Sequence, residues 1–301
     1  MQSNKFLWHQ HETIGQHPKE KFTIRSLKQG STGAVKTWPC APILLEYLVL
    51  RNGLCQDTTS VPLDAPLDMT ESPKQMKASS SDDHYNIVEL GAGTGYLGIG
   101  LALSINHDNR VRNDLIQHND NSMGSSCSPK LRIMCTDSDK QTMKNMRYNV
   151  HEQSREKNLT KAVRVQSLSW GADIGGIEFS NAVKSHFGSK DNVEEDPLRL
   201  ITHLIASDVH FGTHTLEPLS SVIAAFKLRV PDGMVIALLR DRSAESCVDV
   251  SQLKATIEAK VERGRRQVPN DDACGTKLND FSVHVREVRH GEVEHMKLVE
   301  C

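Results

Sequence analysis

Apolar positions in this chain gather into short runs, and polar stretches separate them. Ile87-Val88-Glu89-Leu90 is one such run, stopped by glycines, which is the pattern of a buried parallel strand. Residues 96–104 then place Leu97, Leu101 and Leu103 on one side of a predicted helix. The alternation continues with a strand over 131–135 and a helix over 140–150, then strands over 163–168 and 200–207. A helix over 216–228, a strand over 234–239 and a helix over 250–263 follow. The runs 281–288 and 296–299 read as an antiparallel pair turning at His290-Gly291. Strands that alternate with helices predict an α/β fold with a mostly parallel sheet, right-handed crossovers and helices on both faces. Before the first of these strands, residues 1–50 form a leading segment that ends in a helix near Leu50.

Three polar stretches interrupt the alternation: 56–84, 106–130 and 171–197, the last closing on an acidic run over 191–196. They hold too little apolar surface to offset the entropy of ordering, so they are expected to be flexible surface insertions in a single domain over 1–301. The hydrophobic share of 38% agrees, being below the usual figure of about 45–50%. A net charge of −2 gives no overall attraction to phosphate or to anionic lipid, so neither nucleic acid nor membrane is expected as a partner. No apolar run approaches the roughly 18–20 residues that span a bilayer, and the N-terminus lacks the apolar core of a secretory signal. Seven irregularly spaced cysteines without a CxxC pair suggest neither a disulfide framework nor a structural zinc site. A reduced compartment, cytosol or nucleus, is the simplest expectation, with the protein a monomer.

The sharpest local signal is Glu89-Leu90-Gly91-Ala92-Gly93-Thr94-Gly95, at a strand end and a helix start, where a ligand-binding loop belongs. Glycines there let the backbone approach a cofactor closely and adopt positive φ. The spacing is GxGxG rather than the GxGxxG of dinucleotide enzymes, and an acid stands just before it. S-adenosylmethionine fits that arrangement: it has no pyrophosphate, and its zwitterionic end and sulfonium suit an acidic strand end beside exposed amides. A tight structural turn is the plainer reading. Asp137, just past the second strand, is placed to accept hydrogen bonds from ribose hydroxyls, with Asp139 as the cap of the following helix, although either aspartate could serve as that cap. A C-terminal hairpin on such a sheet points to a Rossmann-like, seven-stranded methyltransferase architecture.

Four segments resemble the protein-lysine methyltransferases of family 16 among the seven-β-strand enzymes. They are Gly33-Ala34-Val35-Lys36-Thr37-Trp38-Pro39-Cys40-Ala41, the loop Glu89 to Gly95, Leu168-Ser169-Trp170-Gly171, and Ala206-Ser207-Asp208-Val209-His210-Phe211. The resemblance implies an S-adenosylmethionine-dependent protein N-methyltransferase acting on lysine in a non-histone protein. It implies cofactor contacts from Trp38, Glu89, Gly91, Gly93, Gly95, Asp137, Trp170 and Ser207. It also implies that Asp208 holds the acceptor nitrogen and Phe211 walls the channel. Trp38 reads equally well as a core or hinge residue, and Trp170 more readily as packing. The last segment departs from the family pattern, with Phe211 where tyrosine is usual and His210 where an aliphatic or aromatic residue is usual. Histidine, arginine or a small molecule therefore stay open as acceptors, as does a non-catalytic binding protein.

His203, His210 and His214 lack a recognised ligand spacing, so no metal is expected. The basic run Lys260, Arg263, Arg265 and Arg266 is the solvated end of a helix, where cations complement the dipole.

Overall fold

In a computed structural model, residues 6–14, 19–30, 32–50, 84–106, 130–157, 159–171, 174–188, 196–209, 212–240, 249–267, 281–290 and 293–301 are described. The chain opens with an antiparallel pair, β1 (Phe6–Glu12) and β2 (Lys21–Leu27), followed by a one-turn helix α1 (Thr32–Val35) and by α2 (Cys40–Leu50). Then come β3 (His84–Leu90), α3 (96–106), β4 (Lys130–Asp137), α4 (Lys140–Lys157) and β5 (Val163–Ser167). The second half holds α5 (Ile177–Phe187), β6 (His203–Ser207), α6 (Thr213–Arg229), β7 (Met234–Arg240) and α7 (Val250–Gln267). It ends in β8 (His284–His290) and β9 (Val293–Glu300).

Seven strands form one sheet in the order β5-β4-β3-β6-β7-β9-β8. The first five are parallel; β9 runs antiparallel to β7 and to β8. The predicted architecture therefore stands: a Rossmann-like methyltransferase sheet with a C-terminal antiparallel hairpin. Period-2 alternation divides each central strand between two cores. Ile87, Ile133, Cys135, Ile205, Ile236 and Leu238 face a cluster built with α2, α3 and α4. Val88, Leu90, Met134, Leu204, Ala206, Val235 and Ala237 face another, built with α5, α6 and α7.

Two parts of the sequence reading need correction. Residues 177–187, inside a stretch expected to be loop, form α5, because Phe179, Ala182, Val183 and Phe187 recur at helical spacing and are buried. The rest of that stretch is only partly described, while 56–83 and 107–129 lie outside the described residues. The β1–β2 pair was not foreseen either. All of β1 except His11 is exposed, so no apolar alternation marks it.

That pair is tied down by α4. Arg25 donates from its N–H to Asn149 Oδ1 at 2.9 Å and from Nε to Asn145 Oδ1 at 2.8 Å. The Asn145 and Asn149 amides both donate back to the Arg25 carbonyl, at 2.8 and 2.9 Å. The spacing of four puts both amides on one face of the helix. The Arg25 guanidinium lies 3.4 Å from the Tyr148 ring centroid. Asn149 also donates to the Thr94 carbonyl at 2.9 Å, so one side chain joins β2, α4 and the glycine loop. Asn149→Ala would leave buried backbone groups unsatisfied at about 1–3 kcal/mol each. A fall in melting temperature of about 5–10 °C is expected by calorimetry, since about 1 kcal/mol shifts a large domain by 2–4 °C. A change below 2 °C would show that water replaces the amide at no cost.

Candidate functional site

The parallel strands β3, β4 and β6 end side by side, and β3 is where the order reverses: the chain goes to β4 and β5 on one flank and returns to β6 on the other. Ligands in open α/β sheets sit at that switch point, beyond the carboxyl ends of the strands. A cleft of about 260 Å³ lies there. Glu89 from β3, Asp137 from β4, Ser207 at the end of β6 and Asp208 just beyond it, Gly91 and Gly93 of the loop, Trp38 and Trp170 all line it. Five segments far apart in sequence thus meet in one cavity. Phe211 and His210 lie outside the described residues.

The loop is bare backbone by necessity. Gly91 (φ +62°) and Gly93 (φ +57°) are left-handed, a conformation that L side chains rarely adopt. A Cβ on Gly93 would stand 2.9 Å from the Gly33 carbonyl oxygen, and one on Gly91 would stand 2.8 Å from Val209 and 2.9 Å from Trp170. The leading segment therefore presses directly on the loop, helped by the Thr37 and Thr94 hydroxyls at 3.2 Å. Gly95 packs against α4. It is not among the cleft-lining residues, and its Cβ would meet Met146 of α4 at 2.8 Å. Trp170 packs on the second core cluster and also lines the cleft.

Asp137 is positioned twice over. Its Oδ1 accepts from the Asp139 N–H at 3.0 Å and its Oδ2 from the Gly93 N–H at 3.3 Å. A carboxylate offers about four lone-pair sites, so these two bonds do not exhaust its acceptor capacity. Burial raises its pKa, and the hydrogen bonds from Asp139, Gly93 and Ser138 oppose that rise. Asp139 takes the capping role, accepting from the Thr142 N–H at 2.6 Å as α4 begins.

Glu89 shares the parity of Tyr85 and Ile87, so its side chain runs under the loop toward α3. It is 1% exposed and accepts from the Gly98 N–H at 3.0 Å. Burial pushes its pKa up to about 8, against hydrogen bonds from Cys135 and Gly98. The fold thus favours the protonated acid. Stability tied to this group is full below the ordinary value near 4.5 and is lost as pH rises toward about 8. Glu89→Gln keeps an acceptor for Gly98 and removes the titration. In melting curves without cofactor, the glutamine variant is expected to gain on the parent between pH 5.5 and 8.5. Parallel curves would contradict the assignment.

Asp208 is 1% exposed and is the non-glycine residue with positive φ among those described, at +52°. Its N–H donates to the Leu238 carbonyl at 2.9 Å, which fixes the strained turn against β7. Such strain persists only where surrounding structure over-determines it, and it concentrates at functional sites. The sequence reading did not pick out Lys36, Thr37, Tyr96, Ser138, Leu168 or Thr215 as site residues, although all of them line the cleft. Thr215 carried no motif signal. Lys36 stood inside a quoted motif and would have been found by asking which cation balances three acids.

The residues present fit a cofactor of the predicted kind: a left-handed glycine loop with no room for side chains, a carboxylate at the end of β4, and acidic residues lining a cleft that would take a ligand bearing a sulfonium and an ammonium. Among the described residues no His/Cys/Asp/Glu cluster could hold a metal, and no helix is long and apolar enough to cross a membrane. No curated protein matches the chain. Among solved structures it is similar to TYW2 of P. horikoshii in complex with MeSAdo, at 10% identity over 99% of this chain and 71% of that one, TM-score 0.41. It is also similar to precorrin-6y C5,15-methyltransferase of Geobacter metallireducens, at 11% identity over 73% and 79% of the two chains, TM-score 0.35. A third is ribosomal protein L11 methylase of Lactobacillus delbrueckii subsp. bulgaricus, at 14% identity over 72% and 68%, TM-score 0.33. The model of the lysine methyltransferase family matches residues 16–254. The chain belongs to that family, and its cofactor is S-adenosylmethionine.

Proposed function

We propose that the protein methylates a lysine side chain of a non-histone protein. The observation that supports this reading best is Asp208: a buried acid held in a strained turn on the cofactor cleft, one residue beyond the end of β6. When bound, S-adenosylmethionine supplies an electrophilic methyl on a sulfonium. The chain's own work is then to align a neutral amine with that carbon and keep water away. Freeing a lysine amine near pH 7.4 costs roughly 4 kcal/mol from its reference pKa of about 10.4. Enclosure by the apolar walls of Trp38 and Leu97 lowers that cost by disfavouring the ammonium. Asp208 acts in the opposite sense on the proton, while it draws in the cationic acceptor and fixes its nitrogen. In this proposal Phe211 forms the remaining wall of the channel.

The test is incubation of the full chain with methyl-labelled S-adenosylmethionine and a hypomethylated lysate, then acid hydrolysis and amino-acid analysis. Label in methyl-lysine is the expected result. Methyl-histidine or methyl-arginine would replace the acceptor. Absence of protein label, with cofactor binding intact, would move the reading to a small-molecule acceptor or a non-catalytic role.

A further inference from the structure

The cleft carries an unbalanced set of charges. Three of its lining residues are acids, Glu89, Asp137 and Asp208; burial favours the protonated form of Glu89, which leaves Asp137 and Asp208 opposite Lys36, the one cation among the described lining residues. S-adenosylmethionine brings two cations, the sulfonium and the ammonium, and one anion, the carboxylate of its amino-acid end. The acids suit the first two and repel the third, so the carboxylate requires a donor of its own.

Glycine loops commonly provide such donors through exposed amides, yet several here are engaged internally. The Ala92 N–H donates to the Thr136 carbonyl at 2.8 Å, and the Gly95 N–H to the Ala92 carbonyl at 2.8 Å. The Gly93 N–H reaches Asp137 Oδ2 at 3.3 Å. Direction narrows the choice further. With the ribose at Asp137, Ser138 and Leu168 line the cleft on the β4–β5 side, while the turn 36–38 lines it across Gly93, beside Thr94. A cofactor whose ribose met Asp137 would have its amino-acid end on the loop side of the cleft, where Lys36 lines it.

From this placement, which rests on the cofactor assignment above, we infer that Lys36 binds the cofactor carboxylate as a charge-assisted donor. Its position supports the role. Lys36 Nζ lies 3.9 Å from the Trp38 ring centroid, so the indole face holds an otherwise mobile ammonium at the cleft. The hydroxyl contact between Thr37 and Thr94 ties the same turn to the loop. A cation–π contact of this kind at an exposed site is weak enough to be shared with an arriving anion. Trp38 then contributes by holding the lysine as well as by walling the cleft.

Calorimetric titration of the purified full chain tests this with two ligands. S-adenosylhomocysteine has the carboxylate; decarboxylated S-adenosylmethionine lacks it but keeps the ammonium and the sulfonium. Lys36→Gln is expected to raise the Kd for S-adenosylhomocysteine about tenfold, the scale of one charged hydrogen bond at a partly solvated site. The Kd for the decarboxylated ligand should stay within about twofold, and Lys36→Arg should recover most of the loss, because it keeps both the charge and the stacking. An equal loss for both ligands would reduce Lys36 to a prop for Trp38 and overturn the inference, as would no loss for either. Failure of the unsubstituted chain to bind S-adenosylhomocysteine would instead overturn the cofactor placement on which the inference stands.

Discussion

Gly93→Arg is expected to abolish measurable binding of S-adenosylmethionine while leaving the seven-stranded sheet folded. Two costs act at this position. An L side chain at φ +57° is strained by about 1–2 kcal/mol. Its Cβ would also approach the Gly33 carbonyl oxygen to 2.9 Å, and that contact is backbone, so no rotamer relieves it. Either α1 or the loop must shift, and both line the cleft; the rest of the arginine then projects where the cofactor backbone belongs. Together these should weaken binding at least about a hundredfold, or about 3 kcal/mol. Titration calorimetry measures the affinity, and far-ultraviolet circular dichroism checks the fold. A variant that binds within tenfold of the parent would show that the ligand enters away from the loop.

Asp208→Asn is the second large effect expected, and the choice of asparagine matters. Asp208 holds φ +52°, which asparagine tolerates far better than alanine does. The substitution therefore removes the charge while retaining the turn and its backbone hydrogen bond to Leu238. Removing one partner of a buried charged contact typically costs about 2–5 kcal/mol. Methyl transfer is expected to fall about a hundredfold in kcat/KM, with the Kd for S-adenosylmethionine within about threefold. Asp208→Ala should add a loss of stability from backbone strain that the asparagine variant does not show. If asparagine retained full transfer, Asp208 would be a structural turn residue and the proposed acceptor contact would fail.

How well the sequence revealed the molecule differed between its parts, for physical reasons. Strands β3, β6 and β7 are buried on both faces, so they appear as short, largely apolar runs ended by glycine or polar residues, and they were legible. Glu89, Gly91, Gly93, Asp137 and Asp208 were legible too, because chemistry at a strand end restricts residue type as well as polarity. β1 was not: a strand exposed along most of its length has no alternation to read. α5 was hidden by a polar, glycine-bearing neighbourhood, although its apolar positions recur at helical spacing. Gly95 shows how alike two demands look in sequence: its positive φ and its packing beside Met146 call for glycine just as a ligand-facing position does. Lys36 was overlooked because a lysine ordinarily reads as solvated surface. Only the assembled cleft shows Lys36 among residues that line it.

The position of α2 has a consequence for how the chain is made. Leu44, Leu45 and Leu48 of this helix are buried in the same cluster as Ile236 and Leu238 of β7, Met296 and Leu298 of β9, and α3, where Leu45 would meet a Cβ on Gly100 at 2.7 Å. A ribosome releases α2 well before any of these strands, and β7 ends only at Arg240, roughly 190 residues after Leu50. At about 5–20 residues per second, the helix waits on the order of 10–40 s with its apolar side uncovered. During that interval it is a natural handle for chaperones and, without them, a nucleus for aggregation. The helix that follows Trp38 of the cleft thus also waits long for the last of its packing partners.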